Sequence, residues 1–154
     1  MDAIDLRILR LLQDDASLPV AEIARQVNLS QTPCWNRIQK LREAGVIRAQ
    51  VTLCDAASLN VGVTVFVSIR TSQHNERWLR DFSRAVSGME EIVGAYRMSG
   101  ETDYLLKIVV PDIQAYDSVY RRLVKAIDLS DVSAAFVMEP IKETTALPLT
   151  FALT

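Results

Sequence analysis

The chain has 154 residues, a formal net charge of −2, 49% hydrophobic residues and 23% charged residues. That length holds one ordinary domain or two small ones, and the composition excludes a disordered or low-complexity chain. The longest apolar run, near 61–69, is broken by Gly62, Thr64 and Ser68 and falls short of the ~18 residues a membrane span needs. The acidic opening MDAIDLRILRLLQDD does not read as a secretory signal, and a cytoplasmic protein is expected. Cys34 and Cys54 form no CxxC pair and His74 is the only histidine, in the polar stretch SQHNE where exposure is expected. Neither a metal site nor a disulfide framework is therefore expected.

In chain order, residues 3–13 read as a helix, with Ile4, Ile8, Leu11 and Leu12 on one stripe and Asp2 able to cap its start. A short helix spans 19–27, with Pro19 in its first turn and Val20, Ile23, Ala24 and Val27 on its inner face. After the tight connection Asn28-Leu29-Ser30, a third helix runs to about Ala44, capped by Ser30 and stopped by Gly45, with Cys34, Ile38 and Leu41 as its core stripe. This is helix-turn-helix spacing. Residues 46–53 read as short strands or a wing, and 54–61 as a linker or turn. Period-two alternation then marks strands at 62–71, 92–98, 102–110 and 132–139. Amphipathic helices fall at 76–87, with Trp78, Leu79, Phe82 and Val86 on one side, and at 113–127. The fold class is α+β: an N-terminal winged helix-turn-helix (1–50), a linker (51–61), and a C-terminal ferredoxin-like βαββαβ domain (62–154) whose tail from Pro140 is an extended arm.

The charge distribution says more than the net charge. Residues 30–48 hold Arg37, Lys40, Arg42 and Arg48 against the single Glu43. A basic segment in an acidic protein is either a phosphate-binding surface or a solvated helix face. With Cys34, Ile38 and Leu41 facing inward, Gln31, Thr32, Trp35 and Asn36 are placed to read base edges in the major groove. Arg37, Lys40 and Arg48 are placed on phosphates, with Ser30 opening the helix beside them. Two of these residues have structural alternatives: half-buried packing for Trp35, and a scaffold salt bridge to Asp5 or Glu22 for Arg37. Cys34 is a packing residue rather than a nucleophile.

The segments IDLRILRLLQDDASLPVAEIARQVNLSQTPCWNRIQKLREAGVI, GAYRMSGETDYLLKIVVPDIQAYDSVYRRLV and IKETTALPL resemble the Lrp/AsnC family of feast/famine regulators over nearly the whole chain. TPCW, SGETDYLL and TTALPL are similar to a cysteine-responsive, DecR-like branch of that family. The resemblance implies a sequence-specific regulator of amino-acid metabolism that binds double-stranded DNA as a dimer. It also implies a second domain that dimerises through its sheet, dimers that build tetramers or octamers, and a small amino acid bound between subunits. No cofactor is implied beyond that effector, which would be cysteine or another small amino acid.

The resemblance places the effector near the turn Met98-Ser99-Gly100-Glu101-Thr102-Asp103-Tyr104. Backbone N–H groups there, approached closely at Gly100, would hold the carboxylate, and Asp103 or Glu101 the ammonium. The alternative is a plain hairpin turn with Asp103 bonded to local backbone. Ala134 and Ala135 stand where many relatives carry serines, which removes two hydroxyls from the implied pocket. Tyr96, Arg97, Tyr104, Tyr116, Tyr120 and Arg121 fall either at subunit interfaces or in ordinary packing.

An enzyme is not expected. No Ser/His/Asp or Cys/His set and no GxxxxGK[ST] loop is present, so no catalytic residue is assigned. The rival is a ligand-binding module without DNA affinity, since the first 60 residues carry seven basic and seven acidic side chains. Multivalency in an oligomer would offset that balance.

Overall fold

The computed structural model describes residues 1–73 and 75–152, so His74 lies outside the described residues. The chain divides into two compact units, 1–52 together with 142–152, and 53–141.

The first unit is built on three helices: α1 (Ala3–Asp14), α2 (Val20–Gln26) and α3 (Gln31–Glu43). Asp2 starts α1 with a reciprocal capping box: its carboxylate accepts the Ile4 and Asp5 N–H groups, and the Asp5 carboxylate accepts the Asp2 N–H. Between α2 and α3 the chain reverses through Asn28 at φ +58°, and the Leu29 N–H donates to the Ala24 carbonyl. Asparagine is one of the few non-glycine residues that enters this region at low cost. Gly45 at φ +72° ends α3. Ile8, Leu9, Ile23, Ala24, Val27, Cys34, Ile38 and Leu41 form the core. Each fully buried aliphatic among them contributes about 1.5–3 kcal/mol.

Three features differ from the sequence reading of this unit. Ser30 sits at the N-cap of α3, but its side chain makes no capping bond. No wing forms: 46–53 contains no strand, and Val51 and Leu53 are exposed. A two-stranded ribbon needs a second strand to satisfy its backbone, and no neighbouring segment of this unit supplies one. The tail, read above as part of the C-terminal domain, belongs here instead. Leu149 packs on the three-helix core, and Gln13 and Leu147 exchange two hydrogen bonds.

The second unit runs β1 (Val63–Arg70), α4 (Glu76–Ser87), β2 (Ile92–Arg97), β3 (Tyr104–Val110), α5 (Ile113–Ala126) and β4 (Asp131–Phe136). The sheet order is β2-β3-β1-β4, with every neighbouring pair antiparallel. The α4 crossover leaves a gap between β1 and β2 that β3 fills, which is the ferredoxin-like arrangement. Asn75 and Asp112 cap the two helices through bonds to the N–H groups of Trp78 and Ala115.

Val65, Val67 and Ile69 of β1 and Tyr104, Leu106, Ile108 and Val110 of β3 form one sheet face. That face packs on Trp78, Phe82 and Val86 of α4 and Val119 and Leu123 of α5. Leu79, expected on the buried side of α4, is partly exposed because it sits one position past Trp78 on the turn. Residues 55–61 are a hydrogen-bonded turn rather than loose linker. The Asp55 carboxylate accepts the Ser58 N–H, the Leu59, Asn60 and Val61 N–H groups bond back into the turn, and Asn60 takes φ +57°.

Candidate functional site

On α3, Gln31, Thr32, Trp35, Asn36 and Lys40 are all exposed. Their spacing of three and four places them on one helix face. No acid lies in the first turn of α3, so the positive end of its dipole is not neutralised there. Ser30 and Arg48 are also exposed, and Lys40 and Arg48 make no ion pair among the described residues. Trp35 does two things at once. It is 50% exposed, and its inner side lines a cleft of about 180 Å³ with Leu12, Leu18, Val20 and Ile38. Cys34 is fully buried, and burial raises its thiol pKa, as a packing residue requires.

Arg37 departs from its expected phosphate role. It lies on the flank facing α1, where Nη1 donates to Asp2 Oδ2 at 2.7 Å and Asp5 Oδ1 at 2.8 Å. Asp5 is only 13% exposed at its side chain, so this cation holds the α1 capping box against α3. The Asp5 N–H and then the Arg37 guanidinium hold the Asp2 carboxyl below its usual range. Arg37 is thereby a scaffold residue, the salt-bridge alternative that its position had left open. Arg42 and Gln50 form a structural link the sequence reading missed. Arg42 donates to the Gln50 Oε1 at 2.9 Å, and the Gln50 Nε2 donates to the Ala16 carbonyl at 3.2 Å. The bracket anchors 46–50, and with it Arg48, although it spans 34 residues and no local spacing announces it.

In the second unit the turn at 98–103 closes through the Met98 N–H to the Asp103 carbonyl at 2.8 Å, with Gly100 at φ +114°. Met98, Ser99, Gly100 and Glu101 are exposed, and the N–H groups of 99–102 make no backbone hydrogen bond among the described residues. Asp103 is a junction. Its N–H donates to the Ile69 carbonyl at 3.0 Å, and its Oδ2 accepts the N–H of buried Thr71 at 2.8 Å. Its side chain thus bonds distant rather than local backbone, and Oδ1 has no partner among the described residues. Thr102, also in the turn, is partly buried.

Tyr104, expected among the effector contacts, packs inward instead. It is 8% exposed, its ring lies 4.6 Å from Phe82 and 5.4 Å from Trp78, and strand alternation turns it into the core. Ala134 is exposed on β4 opposite Val67, while the turn leads into β3. With β1 lying between these strands, the spacing is on the order of 10 Å. One chain therefore does not bring Ala134 and the turn together. Of the tyrosines, Tyr116 packs edge-on against Phe136 and beside Tyr120, whereas Tyr96 and Arg97 are exposed. Arg121 pairs with Asp117 on its own helix.

The AsnC-type helix-turn-helix domain model matches residues 1–42, and the Lrp/AsnC ligand binding domain model matches 64–147. The glutamate uptake regulatory protein of Zymomonas mobilis is 44% identical over 97% of this chain and 91% of its own length. The DNA-binding transcriptional activator DecR of Escherichia coli is 43% identical over 97% and 99%. The crystal structure of an AsnC family transcriptional regulator from Agrobacterium tumefaciens superposes with a TM-score of 0.94 at 57% identity, covering 97% of each chain. A Neisseria meningitidis transcriptional regulator in complex with L-Met gives 0.93 at 32%, also over 97% of each. No helix among the described residues is long and apolar enough to cross a membrane. With an AsnC-type helix-turn-helix at one end and the matching ligand-binding domain behind it, the chain belongs to the Lrp/AsnC family of DNA-binding transcriptional regulators and is not an enzyme.

Proposed function

We propose that this regulator controls genes of amino-acid metabolism in the cytoplasm as a homo-oligomer, and that a small amino acid bound between subunits sets its DNA affinity. The observation that carries the reading is the exposed face of Gln31, Thr32, Trp35, Asn36 and Lys40 on α3. Inserted in a major groove, that face offers amide and hydroxyl groups to base edges, while Lys40 and Arg48 meet phosphates and Ser30 lies at the groove entrance. Two such helices in a dimer fit half-sites about one helical turn apart.

The oligomer rests on the sheet of the second unit. Its helices cover one face, and the other leaves Phe66, Leu105, Val109 and Tyr96 partly or fully exposed. A second copy packing there is the cheapest way to remove that apolar surface from water, and such dimers would associate into tetramers or octamers. The unbonded N–H groups of 99–102 suit an effector carboxylate, and Asp103 Oδ1 or Glu101 suits its ammonium. The distance between the turn and Ala134 supports a pocket completed by another subunit. Relatives and neighbours named for glutamate uptake and for a complex with L-Met favour an amino-acid effector, and cysteine remains a candidate through the DecR likeness.

The test is a gel-shift and light-scattering titration with DNA from directly upstream of the chain's own gene, with and without cysteine, methionine, glutamate and leucine. A shift that weakens steeply with salt and responds to one amino acid is expected. No binding at low salt would sink the proposed operator site. Binding that ignores every amino acid would sink the sensing half and point to Ala134 and Ala135.

A further inference from the structure

Residues 142–152 are remote in sequence from the three-helix unit yet belong to it. Gln13, in the last turn of α1, donates from Nε2 to the Leu147 carbonyl at 3.1 Å and accepts the Leu147 N–H on Oε1 at 2.6 Å. A side-chain amide has both a donor and an acceptor. Here it binds both backbone groups of one residue, as a neighbouring strand would. Two residues on, Leu149 packs against the core formed by α1, α2 and α3. The Thr144 hydroxyl accepts the Ala146 N–H, and the Ala152 N–H returns to the Leu149 carbonyl, so bends on both sides shape the segment that docks. On the other side, the tail issues from β4, where the Val137 N–H bonds to the Thr64 carbonyl and Phe136 packs edge-on against Tyr116.

We propose that 142–152 is a strap through which the sensing unit governs the stability of the DNA-binding unit. The chain crosses between the units at 52–53 and again at 141–142, so the segment that docks on the three-helix core is joined directly to the end of the sensing unit. Loosening β4 loosens the anchor of the strap, and α1 loses its Gln13 and Leu149 contacts. The α1–α3 contact through Arg37 then opens more often. The regulatory meaning of this coupling rests on the amino-acid-responsive reading above, but the coupling itself is measurable without DNA or effector.

The experiment is hydrogen exchange on the full chain. Leu149→Ala and, separately, Gln13→Ala should raise exchange of α1 amides about tenfold and leave β1 and β3 unchanged. Phe136→Ala should raise α1 exchange about threefold when the strap is intact, and not in the Leu149→Ala background. Unchanged α1 exchange in both strap variants overturns the docking. A Phe136→Ala effect on α1 that is absent, or equal in both backgrounds, overturns the coupling. Failure of the regulator reading would appear instead as lost DNA binding in the gel shift, with these exchange rates intact.

Discussion

Replacing Asp103 separates a structural duty from a ligand-binding one. Its carboxylate accepts the N–H of Thr71, a residue only 6% exposed, so Asp103→Ala leaves a backbone donor without its partner. Hydrogen bonds to charged groups contribute about 1.5–3 kcal/mol, and a buried orphan donor costs a similar amount. We therefore expect a loss of about 2 kcal/mol from the second unit, which in a domain of this size lowers Tm by roughly 8–16 °C. Asp103→Asn retains an oxygen that can accept the same N–H and should lose less than about 1 kcal/mol. The assay is urea unfolding in a Trp35→Phe background, so that buried Trp78 reports the second unit. If the leftover Oδ1 binds an effector ammonium, Asp103→Asn also abolishes the amino-acid response while keeping the fold. An Asp103→Ala chain within about 0.5 kcal/mol of its parent would refute the clamp.

Other outcomes follow from the same geometry. Arg37→Ala should lower the thermal midpoint of the helix-turn-helix unit and leave the salt dependence of DNA binding unchanged, because its guanidinium serves Asp2 and Asp5. Lys40→Ala and Arg48→Ala should each flatten the log K against log salt slope by about 1, and a change of slope in Arg37→Ala would return it to the phosphates. Bonds from Arg25 and then Gln26 lower the Glu22 carboxyl from its ordinary 4.5 to about 2. That depressed value stabilises the folded unit fully above pH 4.5 and is lost as pH falls toward 2, so Glu22→Gln should flatten acid unfolding in that window, an effect that salt screens. One thiol per chain, exposed Cys54, should react quickly with a disulfide reagent, and buried Cys34 only after denaturation; two fast thiols in the folded chain would contradict the packing role.

Local chemistry made much of this chain legible. The period-3.6 stripes Ile8–Leu12 and Cys34–Ile38–Leu41, the cap Asp2 and the alternation in 63–70 and 104–110 are decided by near neighbours, and each element forms where its pattern lies. The α3 surface was readable for the same reason: once the buried stripe is fixed, the exposed face is its complement. What the sequence could not decide are contacts between residues far apart. Arg37 carries the same charge whether it faces a phosphate or Asp5, and only the packing of α1 on α3 chose the carboxylates. Tyr104 and Asp103 are adjacent in the SGETDYLL motif, but strand register turned one into the aromatic core and the other onto Thr71. The tail alternates like a strand, yet with no strand beside it to pair with, its backbone met the Gln13 amide 134 residues away. Sequence alone fixes local conformation and which faces are apolar, while tertiary structure decides which distant partner satisfies each charge and each backbone group, because those energies exist only after the elements have packed.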